Sequence, residues 1–231
     1  MSVNKRKVAI FDVDGTIFRS SLVIHLTEAL IGAELFPSAV RQEYSKHERD
    51  WLARNGAYED YINALVATFM ANIKGVAYAD FARITEEVVD RERTKLYKFT
   101  RDLVAELKGE GYFLLAVSHS PKHALDVFLA ELGFDKVYGR VYEVGPENRL
   151  TGVVTDLHLI ENKANIVRRA IDKNNLTLEG SIAVGDTEGD ISMLELVERP
   201  IAFNPNAKLY KHAKRMGWEI VVERKDVIYK I

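Results

Sequence analysis

Hydrophobic and polar positions along the chain fall into distinct regimes. Val8 to Phe11 form a short unbroken apolar run, which predicts a strand buried on both faces of a parallel sheet. After Thr16 the spacing turns helical for about eighty residues. Ser20 or Ser21 can cap a first helix that runs to about Leu30 and stops at Gly32. Further helical segments cover 38–54, 58–73 and 78–94, with Pro37 ahead of the first and Gly56 and Gly75 between them. This block has almost no strand signal and reads as an inserted helical domain.

From Thr100 helices and strands alternate. Residues 100–109 read as a helix ended by Gly109 and Gly111, and Tyr112–Val117 as the next buried strand, closing on Ser118-His119-Ser120. Ser120 is placed to cap a helix with Pro121 at its first position. Ala124, Leu125, Phe128, Leu129 and Leu132 give that helix its apolar stripe, and Gly133 closes it. Segments 137–144 and 150–155 flank the turn residues Gly145-Pro146-Glu147-Asn148, the pattern of a β-hairpin. A helix over about 161–173, a strand over 181–184 and the loop Gly185 to Asp190 follow. The tail repeats the alternation: helix 190–197, strand 200–203, helix 207–216, strand 219–222. Such alternation predicts an α/β fold with a doubly wound parallel sheet. The expected division is a core of residues 1–18 and 97–231, with 19–96 as an all-helical insertion.

Composition narrows the classes. The 231 residues are 47% apolar, enough for a proper core. A net charge of −2 with both signs interspersed leaves no electrostatic footprint for nucleic acid. The absence of cysteine excludes disulfides, cysteine-ligated zinc and thiol catalysis. No apolar run reaches the ~18 residues of a membrane span, so the expectation is a soluble cytoplasmic protein with no membrane partner. Nothing in the sequence sets an oligomeric state.

The candidate chemistry lies at strand and helix ends. Asp12 and Asp14 leave the first strand at its carboxyl end, the usual binding edge of an open α/β sheet. Residues i and i+2 share a face there, so both can address one substrate atom. Asp12 is the candidate nucleophile toward phosphorus and Asp14 the candidate general acid and base. Ser118, with the backbone N–H of His119, suits phosphate oxygens at a helix start. Lys163 can neutralise nucleophile and phosphate together, although a lone lysine is ordinarily a surface residue. In Gly185-Asp186-Thr187-Glu188-Gly189-Asp190, Asp186 is a candidate Mg²⁺ ligand beside Asp12 and the Asp14 backbone carbonyl. Asp190 would act on the metal through water or by orienting its ligands. Glu188 reads as solvated.

In order, DxDGT at 12–16, the strand-end Ser118, Lys163 and GDxxxD at 185–190 resemble the haloacid dehalogenase (HAD) superfamily. The insertion, and the stretch from Gly133-Phe134 to Thr151-Gly152, resemble its phosphoserine-phosphatase-like branch, subfamily IB, with a helical cap. The resemblance implies a Rossmann-like core, Mg²⁺ as cofactor and hydrolysis of a small phosphorylated metabolite through an aspartyl-phosphate on Asp12. The cap would close over the substrate. Asp14 sets the chain apart from the dehalogenases and P-type ATPases of this superfamily. A mutase or phosphotransferase shares the aspartate pair and stands as the alternative, ahead of a non-catalytic phosphate-binding module. Two departures speak against phosphoserine itself. Ser21 stands where that branch has a glutamate, and His119, Ser120 and Pro121 stand where it has two glycines and a phenylalanine. Arg19, His25, Arg49, Trp51, Tyr58 and Tyr61 could line a pocket, but aromatic stripes at helical spacing are ordinarily core, and none is given a role.

Overall fold

Val8, Ala9, Ile10 and Phe11 are wholly buried, and the strand they form is the axis of the structure. The computed structural model describes residues 5–156 and 162–231. Its strands are β1 (Arg6–Phe11), β2 (Phe113–Pro121), β3 (Lys136–Val144), β4 (Leu150–Thr155), β5 (Leu176–Gly185), β6 (Arg199–Phe203), β7 (Glu219–Arg224) and β8 (Val227–Lys230). The helices are α1 (Leu22–Gly32), α2 (Arg41–Leu52), α3 (Tyr58–Asn72), α4 (Tyr78–Glu92), α5 (Lys98–Gly109), α6 (Lys122–Leu129), α7 (Lys163–Asn174), α8 (Ile191–Leu194) and α9 (Ala207–Met216). Among the described residues no helix is long and apolar enough to cross a membrane.

The chain divides into two units. The first comprises Met1–Ser20, Arg93–Arg140 and Asp156–Ile231. Its strands run β3-β2-β1-β5-β6-β7-β8, parallel up to β7 and antiparallel between β7 and β8. Crossover helices make this a Rossmann-like doubly wound sheet. Val8 and Ile10 from β1, Leu115 and Val117 from β2, and Ile166, Val167 and Ala170 from α7 share one core. The central strand therefore delivers Asp12 to the carboxyl edge between the ends of β2 and β5.

Three local differences from the sequence reading have clear causes. Strand β2 runs on to Pro121, so Ser120 lies within it and α6 starts at Lys122 with no side-chain cap. Strand β5 begins at Leu176 rather than at 181, because its pairing with β1 skips from Lys7–Thr177 to Ala9–Ile182. That bulge interrupts the apolar run. Strand β8 went unpredicted. Its turn, Lys225-Asp226, carries positive φ at Lys225 without the usual glycine or asparagine, and Val227 and Tyr229 are exposed. Residue 161, the expected start of the following helix, lies outside the described residues; α7 begins at Lys163.

The second unit comprises Ser21–Glu92 and Val141–Thr155, so it is not purely helical. The end of β3 pairs antiparallel with β4, and this hairpin joins the helices rather than the core to which its sequence pattern assigned it. Tyr142 explains why. Its ring meets Phe69 of α3 at 5.8 Å and Phe81 of α4 at 6.2 Å. Leu150 exchanges backbone bonds with the α3–α4 connection, accepting from Gly75 at 2.7 Å and donating to Val76 at 2.9 Å. In the same unit Trp51 stacks on Tyr61, with centroids 5.7 Å apart, and Tyr61 and Tyr44 are buried. These aromatics are packing, as their helical spacing indicated.

Candidate active site

The site is assembled in the first unit from four separate stretches of chain. Asp12 follows β1 directly, and its N–H still donates to Val184 of β5 at 2.9 Å, so the carboxylate is held at the sheet edge. Lys163 is the first residue of α7, whose cap is Asn162; the Asn162 side chain accepts from the N–H of Ala164. Starting the helix there aims a buried ammonium across the strand ends. Lys163 Nζ donates to Asp12 Oδ1 at 2.5 Å and to Asp190 Oδ1 at 2.6 Å. Lys163, Asp12 and Asp190 are 4%, 5% and 0% exposed, so this is an ion-paired cluster rather than a surface lysine.

Asp190 is the anchor of the loop after β5. Its Oδ2 accepts from the backbone N–H groups of Asp186 and Thr187, both at 3.0 Å, while its Oδ1 takes the lysine. Both oxygens are thus engaged in orienting neighbours, and no helix-capping bond to α8 is made. Asp186 reaches the same centre from the strand end, where its carbonyl accepts from Asn206 at 2.9 Å. Carboxylate oxygens of Asp12, Asp186 and Asp190 lie within 4.8 Å of one another. Gly15 makes that approach possible. It adopts φ +79°, and a Cβ there would fall 2.0 Å from Asp186 Oδ2. Thr16, wholly buried, adds a long contact of 3.4 Å to Asp186 Oδ1.

Asp14 stands on the β2 side of the site. Ser118 Oγ and Ser120 Oγ each donate to its Oδ2 at 2.7 Å, and the Ser120 N–H donates to Ser118 Oγ at 2.9 Å. His119, between them, is exposed, as strand alternation requires. The predicted residues Asp12, Asp14, Ser118, Lys163, Asp186 and Asp190 are therefore gathered at one edge. Ser120 was misread as a helix cap; the i, i+2 spacing of Ser118 and Ser120 at a strand end was the signal that could have found it. Glu188 is half-buried, paired with Lys208 at 2.7 Å and bonded by the Asn206 amide.

The electrostatics are those of a crowded anionic centre. Burial lifts the Asp12 carboxyl to about 7, against the lowering pull of Lys163, with Asp190 and Asp14 raising it further. Burial, then the charges of Asp12 and Asp190, holds Asp186 well above the usual carboxylate range. Burial works to lower Lys163, but Asp12 and Asp190 outweigh it and keep the ammonium charged. Two carboxylates share the ammonium and a third, Asp186, lies beside them, an excess of two negative charges when all three are ionised. An all-oxygen donor set with that excess fits a hard divalent cation.

A sheet-edge cluster of acidic oxygens around one lysine lies where open, doubly wound α/β sheets bind their ligands. A model of the haloacid dehalogenase-like hydrolase family matches residues 9–195, and the chain belongs to that family. It is 26% identical over 216 residues to phosphoserine phosphatase SerB1 of Mycobacterium tuberculosis, across 92% of this chain and 69% of that one. It is 24% identical over 222 residues to a histidinol-phosphatase of Neisseria meningitidis, across 94% and 98%. A solved phosphoserine phosphatase carrying an analogue of its phospho-aspartyl intermediate shares the fold, with a TM-score of 0.65 at 23% identity over 96% of both chains.

Proposed function

We propose that the protein is a Mg²⁺-dependent phosphatase that hydrolyses a small phosphorylated metabolite through an aspartyl-phosphate on Asp12. The observation that carries this reading is the buried Lys163 ammonium shared by Asp12 and Asp190 beside a third carboxylate, Asp186. Asp12, Asp186 and the Asp14 backbone carbonyl would hold the cation, with Asp190 orienting the loop behind them. When bound, Mg²⁺ supplies charge neutralisation between the carboxylate nucleophile and the phosphoryl oxygens.

In the first half-reaction an Asp12 oxygen attacks phosphorus as the bond to the ester oxygen breaks. Asp14 gives its proton to the departing alcohol. In the second, water attacks the same phosphorus, Asp14 takes its proton, and the acyl-phosphate P–O bond breaks to release inorganic phosphate and free Asp12. Ser118 and the His119 backbone N–H receive phosphoryl oxygens, and Lys163 neutralises the charge that develops on them. The two relatives bear different substrate names at similar identity, so family membership leaves the alcohol open.

The test is phosphate release from a panel of phosphomonoesters including phosphoserine and histidinol phosphate, with Mg²⁺ or with EDTA. Release from at least one member, abolished by EDTA and by Asp12→Asn, is expected. Turnover retained in Asp12→Asn overturns the nucleophile, and phosphate recovered on an added acceptor in place of water overturns hydrolysis.

A further inference from the structure

Two hydroxyls, rather than one, converge on Asp14, and a hydroxyl has a single proton to give. Ser118 spends its proton on Asp14 Oδ2, while its oxygen accepts from the Ser120 N–H. If Ser118 is to donate to a phosphoryl oxygen, it must release Asp14 when substrate binds. Ser120 Oγ is held on the same carboxylate oxygen at 2.7 Å, is 3% exposed, and comes from the same rigid strand. Gly139 of β3 lets the chain pack tightly against this point. A Cβ there would come within 2.8 Å of the Ser120 carbonyl oxygen.

From this geometry we infer that Ser120 is a positioning residue for the acid–base step. It keeps Asp14 in place while Ser118 turns to the phosphoryl group. With Oδ2 occupied by the Ser120 hydroxyl throughout, the proton for the leaving alcohol is carried on Oδ1. The hand-off forms and breaks hydrogen bonds only; the proton that leaves Asp14 is the one the departing alkoxide takes up. The inference rests on the phosphatase reading and assigns Ser120 a duty distinct from phosphate binding.

The experiment compares kcat/KM for phenyl phosphate and 4-nitrophenyl phosphate in the wild type, Ser120→Ala and Ser120→Thr. These esters share a shape, but only the poorer leaving group, phenolate, depends strongly on a proton from Asp14. Because kcat/KM reports the step in which the alcohol departs, the ratio of the two values isolates the acid role. It also cancels any difference in folded fraction. Ser120→Ala is expected to lose about tenfold more on phenyl phosphate than on 4-nitrophenyl phosphate, a modest part of what general acid catalysis contributes. Ser120→Thr, which keeps the hydroxyl, is expected to restore the wild-type ratio.

An equal loss on both esters, with weaker inhibition by inorganic phosphate, would make Ser120 a phosphate ligand and overturn the inference alone. Unchanged kinetics would do the same. No turnover of either ester by the wild type, with no release from any member of the phosphomonoester panel, would overturn the phosphatase reading along with it.

Discussion

Replacing Lys163 with methionine is the most direct probe of the site's electrostatics. The side chain keeps its length and loses its charge, leaving Asp12 and Asp190 facing each other in a buried space. At separations of 2.5 and 2.6 Å, each lysine–carboxylate attraction is worth roughly 6 kcal/mol gross at an effective dielectric of about 20. Desolvating the three groups cancels much of this, and removing one partner from such a buried pair costs about 3–5 kcal/mol net. That is a large share of the stability of a typical domain.

The cost must also depend on pH. Burial lifts the Asp12 carboxyl to about 7 even with Lys163 present, so the folded chain holds this proton more tightly than the unfolded chain does. In EDTA, the contribution of this carboxyl to wild-type stability is therefore full at pH below the unfolded carboxyl value and is lost as pH climbs toward 7. Without Lys163 the carboxyl rises further, and the decline continues to higher pH. Urea unfolding in EDTA should show a gap between wild type and Lys163→Met that widens by up to about 2 kcal/mol between about pH 7 and about pH 8.5, since one proton is worth about 1.4 kcal/mol per pH unit. A gap independent of pH would mean that Lys163 acts through packing, and the charge argument would fail.

Gly15→Ala should strike Asp186 directly, since the added methyl would lie 2.0 Å from its Oδ2 at a backbone φ of +79°. A displacement of that carboxylate by about 1 Å is expected to cost roughly 10²-fold in Mg²⁺-dependent turnover. The left-handed conformation adds about 1–2 kcal/mol of destabilisation. Unchanged turnover and Mg²⁺ half-saturation would refute the close-contact argument. Mg²⁺ itself should bind more tightly as pH rises through about 7, because Asp12, like Asp186, must release its proton to serve as ligand. Calorimetric titration in two buffers of different ionisation heat would show that proton; an affinity that does not change with pH would exclude it.

The residues that carry the chemistry were more legible than their supports. Asp12 and Asp14 follow an unbroken apolar run, and such a run ends at a sheet edge for reasons local to the sequence. Lys163 was not visible by itself. It gained weight only beside the other motifs, because the burial that marks it depends on β1 and the Asp190 loop arriving from elsewhere. Ser120 shows how a sound local rule can mislead: serine before proline is a good helix start, yet the strand runs on to Pro121 and the Ser120 hydroxyl bonds Asp14 instead. The hairpin of β3 and β4 was recognised as a hairpin. Which core it would join depended on Tyr142 meeting Phe69 and Phe81, a contact that local periodicity does not encode.

The central place of β1 has a consequence for the life of the chain during synthesis. The lysine that pairs with Asp12 lies 151 positions downstream, and Asp190 lies 27 beyond that. The serines come from a third stretch, 104 and 106 residues after Asp14. No stretch that ends before Lys163 contains the centre, and β1 must keep its place open until β5 pairs with it. Such distant pairings are late events in folding. The centre is therefore incomplete in a nascent chain until the loop after β5 has left the ribosome, while β6, β7 and β8 are still to come.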